Sequence, residues 1–134
     1  MAAISAYARK LMLDFSLNTQ TATRPTNWGL ALSLGVPDST SGSEVSTGLL
    51  TRITAPAAFG AADTDGNAFN TIAFTFGAVD TPMSVSGIVL WDTVSGATQD
   101  AGNFLWYGLL AAARTLASGD SLVIATSALT VTLA

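Results

Sequence analysis

In Trp28-Gly29-Leu30-Ala31-Leu32-Ser33-Leu34 the large side chains fall on even positions and the small ones on odd positions. A period of two belongs to a β-strand, whose successive side chains leave opposite faces of the sheet. The spacing therefore predicts a strand with one face in a core and a thin, nearly uncharged outer face. The same alternation returns over residues 70–76, where Ile72, Phe74 and Phe76 share one face and Thr71, Ala73 and Thr75 the other. Residues 85–91 and 104–110 are apolar on both faces, the pattern of central strands covered on each side. Between them, residues 92–103 hold Gly96, Gly102, Asp92 and Asp100, with Val94 the sole large aliphatic, and read as a long hairpin loop. A weaker strand is expected over residues 49–54, before Pro56. Residues 35–43, with Pro37-Asp38 and Ser41-Gly42, form a loop by their turn chemistry. Ser118-Gly119-Asp120 marks a further turn, followed by a strand over residues 122–125. The chain closes with Leu129, Val131 and Leu133 alternating with Thr130 and Thr132. Short strands punctuated by turns predict a mainly β fold, an antiparallel β-sandwich or barrel-like domain. With no internal repeat and no dividing linker, residues 1–134 read as a single domain, the sandwich occupying residues 26–134.

The beginning of the chain follows a different period. Ile4, Tyr7, Ala8, Leu11 and Phe15 fall on one face of a helix expected over residues 2–20, and Ala6, Leu13 and Leu17 form a second apolar row on the opposite side. The helix must stop before Arg24-Pro25, because proline drives its predecessor toward extended backbone. One face can cover the domain's own sheet. The other is left for the domain's own loops or for a partner, which makes Ala6, Leu13 and Leu17, with the neighbouring Arg9 and Lys10, the candidate partner-contact residues.

Composition points the same way. Hydrophobic residues make up 49% of the chain and charged ones only 10%, against about 25% charged in an average soluble domain. The surface must then be largely Ser, Thr, Ala, Asn and Gly, which suits permanent contact with neighbours, or else a merely neutral soluble domain. The net charge is −4, and the cations Arg9, Lys10, Arg24, Arg52 and Arg114 are scattered rather than blocked, so no nucleic-acid partner is expected. No apolar run reaches the roughly 18 residues of a membrane span, and no basic-then-apolar leader precedes the helix. Synthesis without export and no membrane partner are the expectation.

Few catalytic routes remain open. The chain has no histidine and no cysteine, which removes the commonest general base, the commonest metal ligand and thiol chemistry. Its single lysine, Lys10, follows no glycine-rich phosphate loop, and no Gly-x-Ser-x-Gly elbow occurs. Asp63-Thr64-Asp65-Gly66-Asn67 resembles half of a calcium loop, but the twelfth position is Phe74 where a bidentate glutamate is needed; a turn at Asp65-Gly66 is the preferred reading. Asp92 and Asp100 flank one loop and could approach as a glycosidase pair, with nothing near them to raise one pKa. Trp28, Trp91, Trp106 and Tyr107 could form a sugar-stacking platform, but tryptophans in strand patterns more often fill cores with the indole N–H satisfied nearby. Trp91 and Trp106, at facing ends of the expected hairpin, predict a cross-strand core pair. The expectation is a protein that is not an enzyme, with no catalytic residues, no cofactor and no metal.

The order of these elements resembles a family of small tailed-phage virion proteins often labelled tail fibre proteins. The matching residues are Trp28, Gly29 and Leu30; Gly42, Glu44 and Val45; Thr51 and Arg52; Asn70, Ile72 and Phe74; Ile88, Trp91 and Asp92; Leu105, Trp106 and Leu109; Gly119 and Asp120; and residues 129–133. They span nearly the whole chain. Departures fall in the connections: Val45-Ser46-Thr47-Gly48-Leu49 is plainer than the family's glycine-rich step, Asp80-Thr81-Pro82-Met83 replaces an aromatic-Gly lead, and residues 93–102 enlarge a tight hairpin. The resemblance implies a virion structural protein, located in the particle. A compact domain without a repeating shaft suggests a capsid decoration or cement protein; a tail fibre, adaptor or receptor-binding module is the alternative, and a carbohydrate-active enzyme a remote one. The expected partners are copies of the chain itself, with a trimer the first expectation, and other virion proteins such as the major capsid protein or tail components.

Overall fold

The two runs that are apolar on both faces form the centre of the architecture. The structure, a computed structural model, describes residues 2–18, 25, 27–38, 52–55, 58–94 and 102–132. Along the chain these form β1 (Ala2–Ile4), α1 (Ala6–Leu17), β2 (Gly29–Ser33), β3 (Ile53–Thr54), β4 (Asn67–Phe69), β5 (Phe74–Phe76), β6 (Met83–Trp91), β7 (Phe104–Leu116), β8 (Leu122–Ile124) and β9 (Thr130–Thr132). One antiparallel sheet has the order β1-β7-β6-β2-β3, with the apolar strand β6 at its middle; β4-β9 and β5-β8 form separate two-stranded ribbons. Among the described residues the fold is mainly β with one helix, near the N-terminus, as the alternation predicted, and no sheet closes into a barrel.

The main core lies between the five-stranded sheet and the β5-β8 ribbon. Leu30 and Leu32 of β2 and Ile88 and Leu90 of β6 meet Phe74 and Phe76 of β5 and Ile124 of β8. Phe74 and Phe76 are fully buried, and each contributes roughly 1.5–3 kcal/mol by leaving water. Ile72, expected on the same face, is instead exposed, because strand geometry starts only at Phe74. The thin outer face expected for β2 is also covered, since all of Gly29–Ser33 is buried. On that side Ala31 and Val89 pack with Trp91 and Phe104, and Tyr107 joins them.

Ring packing here follows a register that alternation alone could not supply. An irregularity between Leu90 and Trp91 pairs Trp91 with Phe104 and Leu90 with Trp106. The expected Trp91–Trp106 pair does not form, because this bulge puts the two indoles on opposite faces of the sheet. Trp91 stacks with Phe104 at 5.6 Å between ring centroids, and Phe104 meets Tyr107 edge-on at 6.0 Å. The buried Arg52 guanidinium lies 4.3 Å over the Trp91 ring and donates to the Thr93 Oγ1 at 2.7 Å. The expectation that the indole N–H groups are satisfied fails for Trp91 and Trp106, whose buried Nε1 atoms have no hydrogen-bond partner among the described residues. A larger irregularity lies further along β7: Ser86 alone spans on β6 what residues 110–113 span on β7.

One polar side chain ties the ribbons together. Asn70 is fully buried; its Nδ2 donates to the Ile72 carbonyl at 2.7 Å and the Ala125 carbonyl at 2.9 Å, and its Oδ1 accepts from the Leu129 N–H at 2.9 Å. It thereby clamps the segment before β5 onto the turn between β8 and β9.

Candidate functional site

Helix α1 is shorter than the expected span of residues 2–20, and its start explains why. Ser5 is the N-cap: its Oγ accepts from the Ala8 N–H at 3.0 Å and donates to the Phe104 carbonyl at 2.6 Å. Its own N–H donates to the Leu105 carbonyl at 2.9 Å. Ser5 thus satisfies one of the open helix N–H groups while bolting the helix to the start of β7. Residues 2–4, expected to be helical, instead extend the sheet, with Ala2 opposite Gly108 and Ile4 opposite Trp106. Ile4 is therefore not part of the helical face. At the other end the Asn18 N–H donates to the Asp14 carbonyl at 3.1 Å, and the chain turns extended; residues 19 and 20 lie outside the described residues.

The helix covers little of its own domain. Ala8 is its one buried residue. Phe15, expected on the inward face, is 72% exposed, and Tyr7 is exposed as well. On the outer row Leu13 is 58% and Leu17 81% exposed, and Ala6, Arg9 and Lys10 are exposed beside them. All of the candidate contact residues therefore lie together on one open face. On the inward side an open groove of about 520 Å³ separates the helix from the body, lined by Leu11, Met12, Phe15, Trp28, Leu105 and Trp106 among others. Met12, Trp28 and Leu105 were not foreseen as part of this surface. The usable signal was the spacing of Met12 from Ala8, one helical turn on.

Local energetics make such a helix dependent on contacts. A helix of 12 residues is marginal by itself in water. It has no acidic residue in its first turn and no basic one in its last, so its dipole is left without complementary charge. The exposed Lys10–Asp14 ion pair adds at most about 0.5 kcal/mol, and lysine before acid is the weaker order.

The other sequence candidates resolve into scaffold. Asp63 builds a turn: its Oδ1 accepts from the N–H groups of Asp65 at 2.9 Å and Asn67 at 2.8 Å, and its Oδ2 from the Asn67 side chain at 3.2 Å. No cluster of carboxylates that could hold a metal occurs among the described residues. The hydrogen bonds from the Asn67 backbone, then from its side chain, hold the Asp63 carboxyl below the ordinary aspartate value. A depressed folded pKa contributes stability above the unfolded value of about 3.9 that is lost as pH falls through the folded one. In a carboxyl titration followed by NMR, Asp63 should titrate below the ordinary aspartate value, and Asn67→Ala should raise it only part of the way, because the backbone N–H of residue 67 still donates to the carboxylate.

Asp92 accepts from the Asn103 N–H at 2.8 Å and its side-chain amide at 2.9 Å, closing the base of the hairpin; Asp100 lies outside the described residues. The four aromatic residues of the supposed sugar platform do not share a face: Trp28 and Trp106 pack on the main core, Trp91 and Tyr107 on the opposite side of the sheet.

A family model described as Podophage GP4 fiber I protein gp80 matches residues 3–132. No curated protein matches the chain.

Proposed function

The chain belongs to the podophage fiber I protein family, and we propose that it is a non-enzymatic structural component of the phage particle that docks through α1. The observation that carries this reading is a helix whose apolar residues Leu13, Phe15 and Leu17 stand exposed while only Ala8 is buried. Contiguous exposed apolar surface marks an interaction site, and a two-sided apolar helix is stable only when something covers it. Of the positions considered from sequence, the family's description favours a place in a fibre over capsid decoration. Other virion proteins and further copies of the chain are the partners in this reading.

The test is the pair Leu13→Gln and Leu17→Gln. Glutamine keeps helix propensity and adds no charge, and both sites are exposed, so stability should change by no more than about 0.5 kcal/mol. Incorporation into particles, measured by quantitative immunoblot of purified virions, should fall about tenfold or more. Full incorporation of the double variant, or loss of its folding, would sink the proposal. The copy number per wild-type particle separates the locations: hundreds indicate the capsid, a dozen or fewer the tail.

A further inference from the structure

We propose that α1 is a strap hinged at Ser5, whose C-terminal half closes onto Trp28, Leu105 and Trp106 in the isolated chain and covers Met12 and Phe15 until a partner engages them. The closed position stands on the geometry of the helix and its groove; its effect on docking rests on the reading of α1 as a contact surface.

A gradient of exposure along one face of the helix points to the hinge. Ala8 and Phe15 are seven residues apart, so they point the same way within about 20° and lie about 10 Å apart along the helix axis. Ala8 is 2% exposed and Phe15 72%. Leu11, between them, is half-buried, and Met12 is 40% exposed. Turning the helix about its own axis would expose both ends of this row alike. The contrast therefore comes from separation: the helix lifts away from the body toward its C-terminal end.

The body continues beneath the lifted half. Met12 and Phe15 line the open groove of about 520 Å³ together with Trp28, Leu105 and Trp106. Ser5 holds the near end, where its Oγ donates to the Phe104 carbonyl and its N–H to the Leu105 carbonyl. The pairing of β1 with β7 secures the chain just before that point. Further along, the side chains of Lys10 and Ser16 donate to Asp14 and to the Met12 carbonyl of the helix itself. The helix is thus fixed at one end and faces the body across an apolar gap along the rest.

Closing that gap removes apolar surface from water on both of its walls at once. It strands no hydroxyl, because Ser16, the one hydroxyl side chain in the lining, already donates to the Met12 carbonyl. Leu17, with Arg9 and Lys10, stays open in either position. Closure hides Met12 and Phe15, so a partner that contacts them competes with the body and selects the lifted position. The strap then holds back part of the docking surface in the free protein.

The test is Phe15→Ala in the purified full chain, followed by thermal unfolding at two widely separated protein concentrations. Alanine has the highest helix propensity, so a loss of stability reports lost packing rather than a weaker helix. With the strap closed, the melting temperature should fall by about 5 °C or more, equally at both concentrations. Acrylamide should also quench tryptophan fluorescence more strongly, as Trp28 and Trp106 are uncovered. Leu17→Ala, on the outer row, should change neither reading. A melting temperature unmoved by Phe15→Ala would overturn the proposal, because the side chain would then stand in water. So would a loss that grows with protein concentration, which would make a second copy the cover. Either result leaves the docking reading standing, since particle incorporation of the Leu13 and Leu17 variants tests that separately.

Discussion

Replacing Gly29 by alanine should destabilise the protein by about 3 kcal/mol or more, at the upper end of overpacking effects. A Cβ at this position would stand 2.4 Å from the Thr93 carbonyl oxygen and 2.9 Å from the Arg52 Cδ. Neither neighbour is free to retreat. The Thr93 carbonyl accepts from the Arg52 guanidinium, and that guanidinium is fixed over Trp91. Gly29 itself is held on both sides, opposite Trp91 on β6 and Thr54 on β3. The strand cannot slide without breaking the sheet at its centre. Urea denaturation should show the loss as a lower midpoint with unchanged slope; a change under about 0.5 kcal/mol would mean that the carbonyl gives way, and the close packing around Gly29 would then be no constraint.

Asn70→Ala should cost a comparable amount, about 3 kcal/mol, for a different reason. It leaves two carbonyls, Ile72 and Ala125, and the Leu129 N–H without the side chain that satisfied them. Each buried polar group stripped of its partner costs about 1–3 kcal/mol, less where water enters the cavity. Asn70→Asp distinguishes hydrogen bonding from volume, since it keeps the shape but removes both donors and aims a carboxylate at two carbonyl oxygens. That environment raises the folded pKa of the introduced acid, so its penalty is full at neutral pH and eases as pH falls through that value. Equal stability of Asn70→Asp and the wild type at pH 7 would show that shape alone suffices.

These two residues also explain what the family resemblance rests on. Gly29, Arg52, Asn70, Trp91, Asp92 and Asp120 all matched, and each has a scaffold role. Gly29 allows a close approach, Arg52 and Trp91 stack, and Asp92 closes a hairpin through Asn103. Asp120 accepts from the Ala117 N–H at 2.8 Å beside Gly119, whose φ of +91° suits glycine. The resemblance identifies an architecture. The contact surface argued from α1 lies elsewhere, on residues that carry none of the matching motifs.

Period-two alternation by itself determined that this chain is mainly β, and apolarity on both faces of residues 85–91 and 104–110 determined which strands are central. The two apolar rows near the N-terminus predicted a helix with one row left over, for the domain's own loops or for a partner. Such patterns are legible because a side chain's face follows from its position along a strand or helix. Register is not set that way. The bulge that separates Trp91 from Trp106, the long irregularity at residues 110–113 and the exposure of Ile72 depend on which backbone groups find partners across space. Ser5 shows the same division: its residue type allowed a cap, but only the carbonyl of Phe104 placed it as the joint between sheet and helix. That joint delayed the start of the helix to Ala6 and left residues 2–4 to pair as a strand with β7. Tertiary hydrogen bonds thus decided where strand gives way to helix.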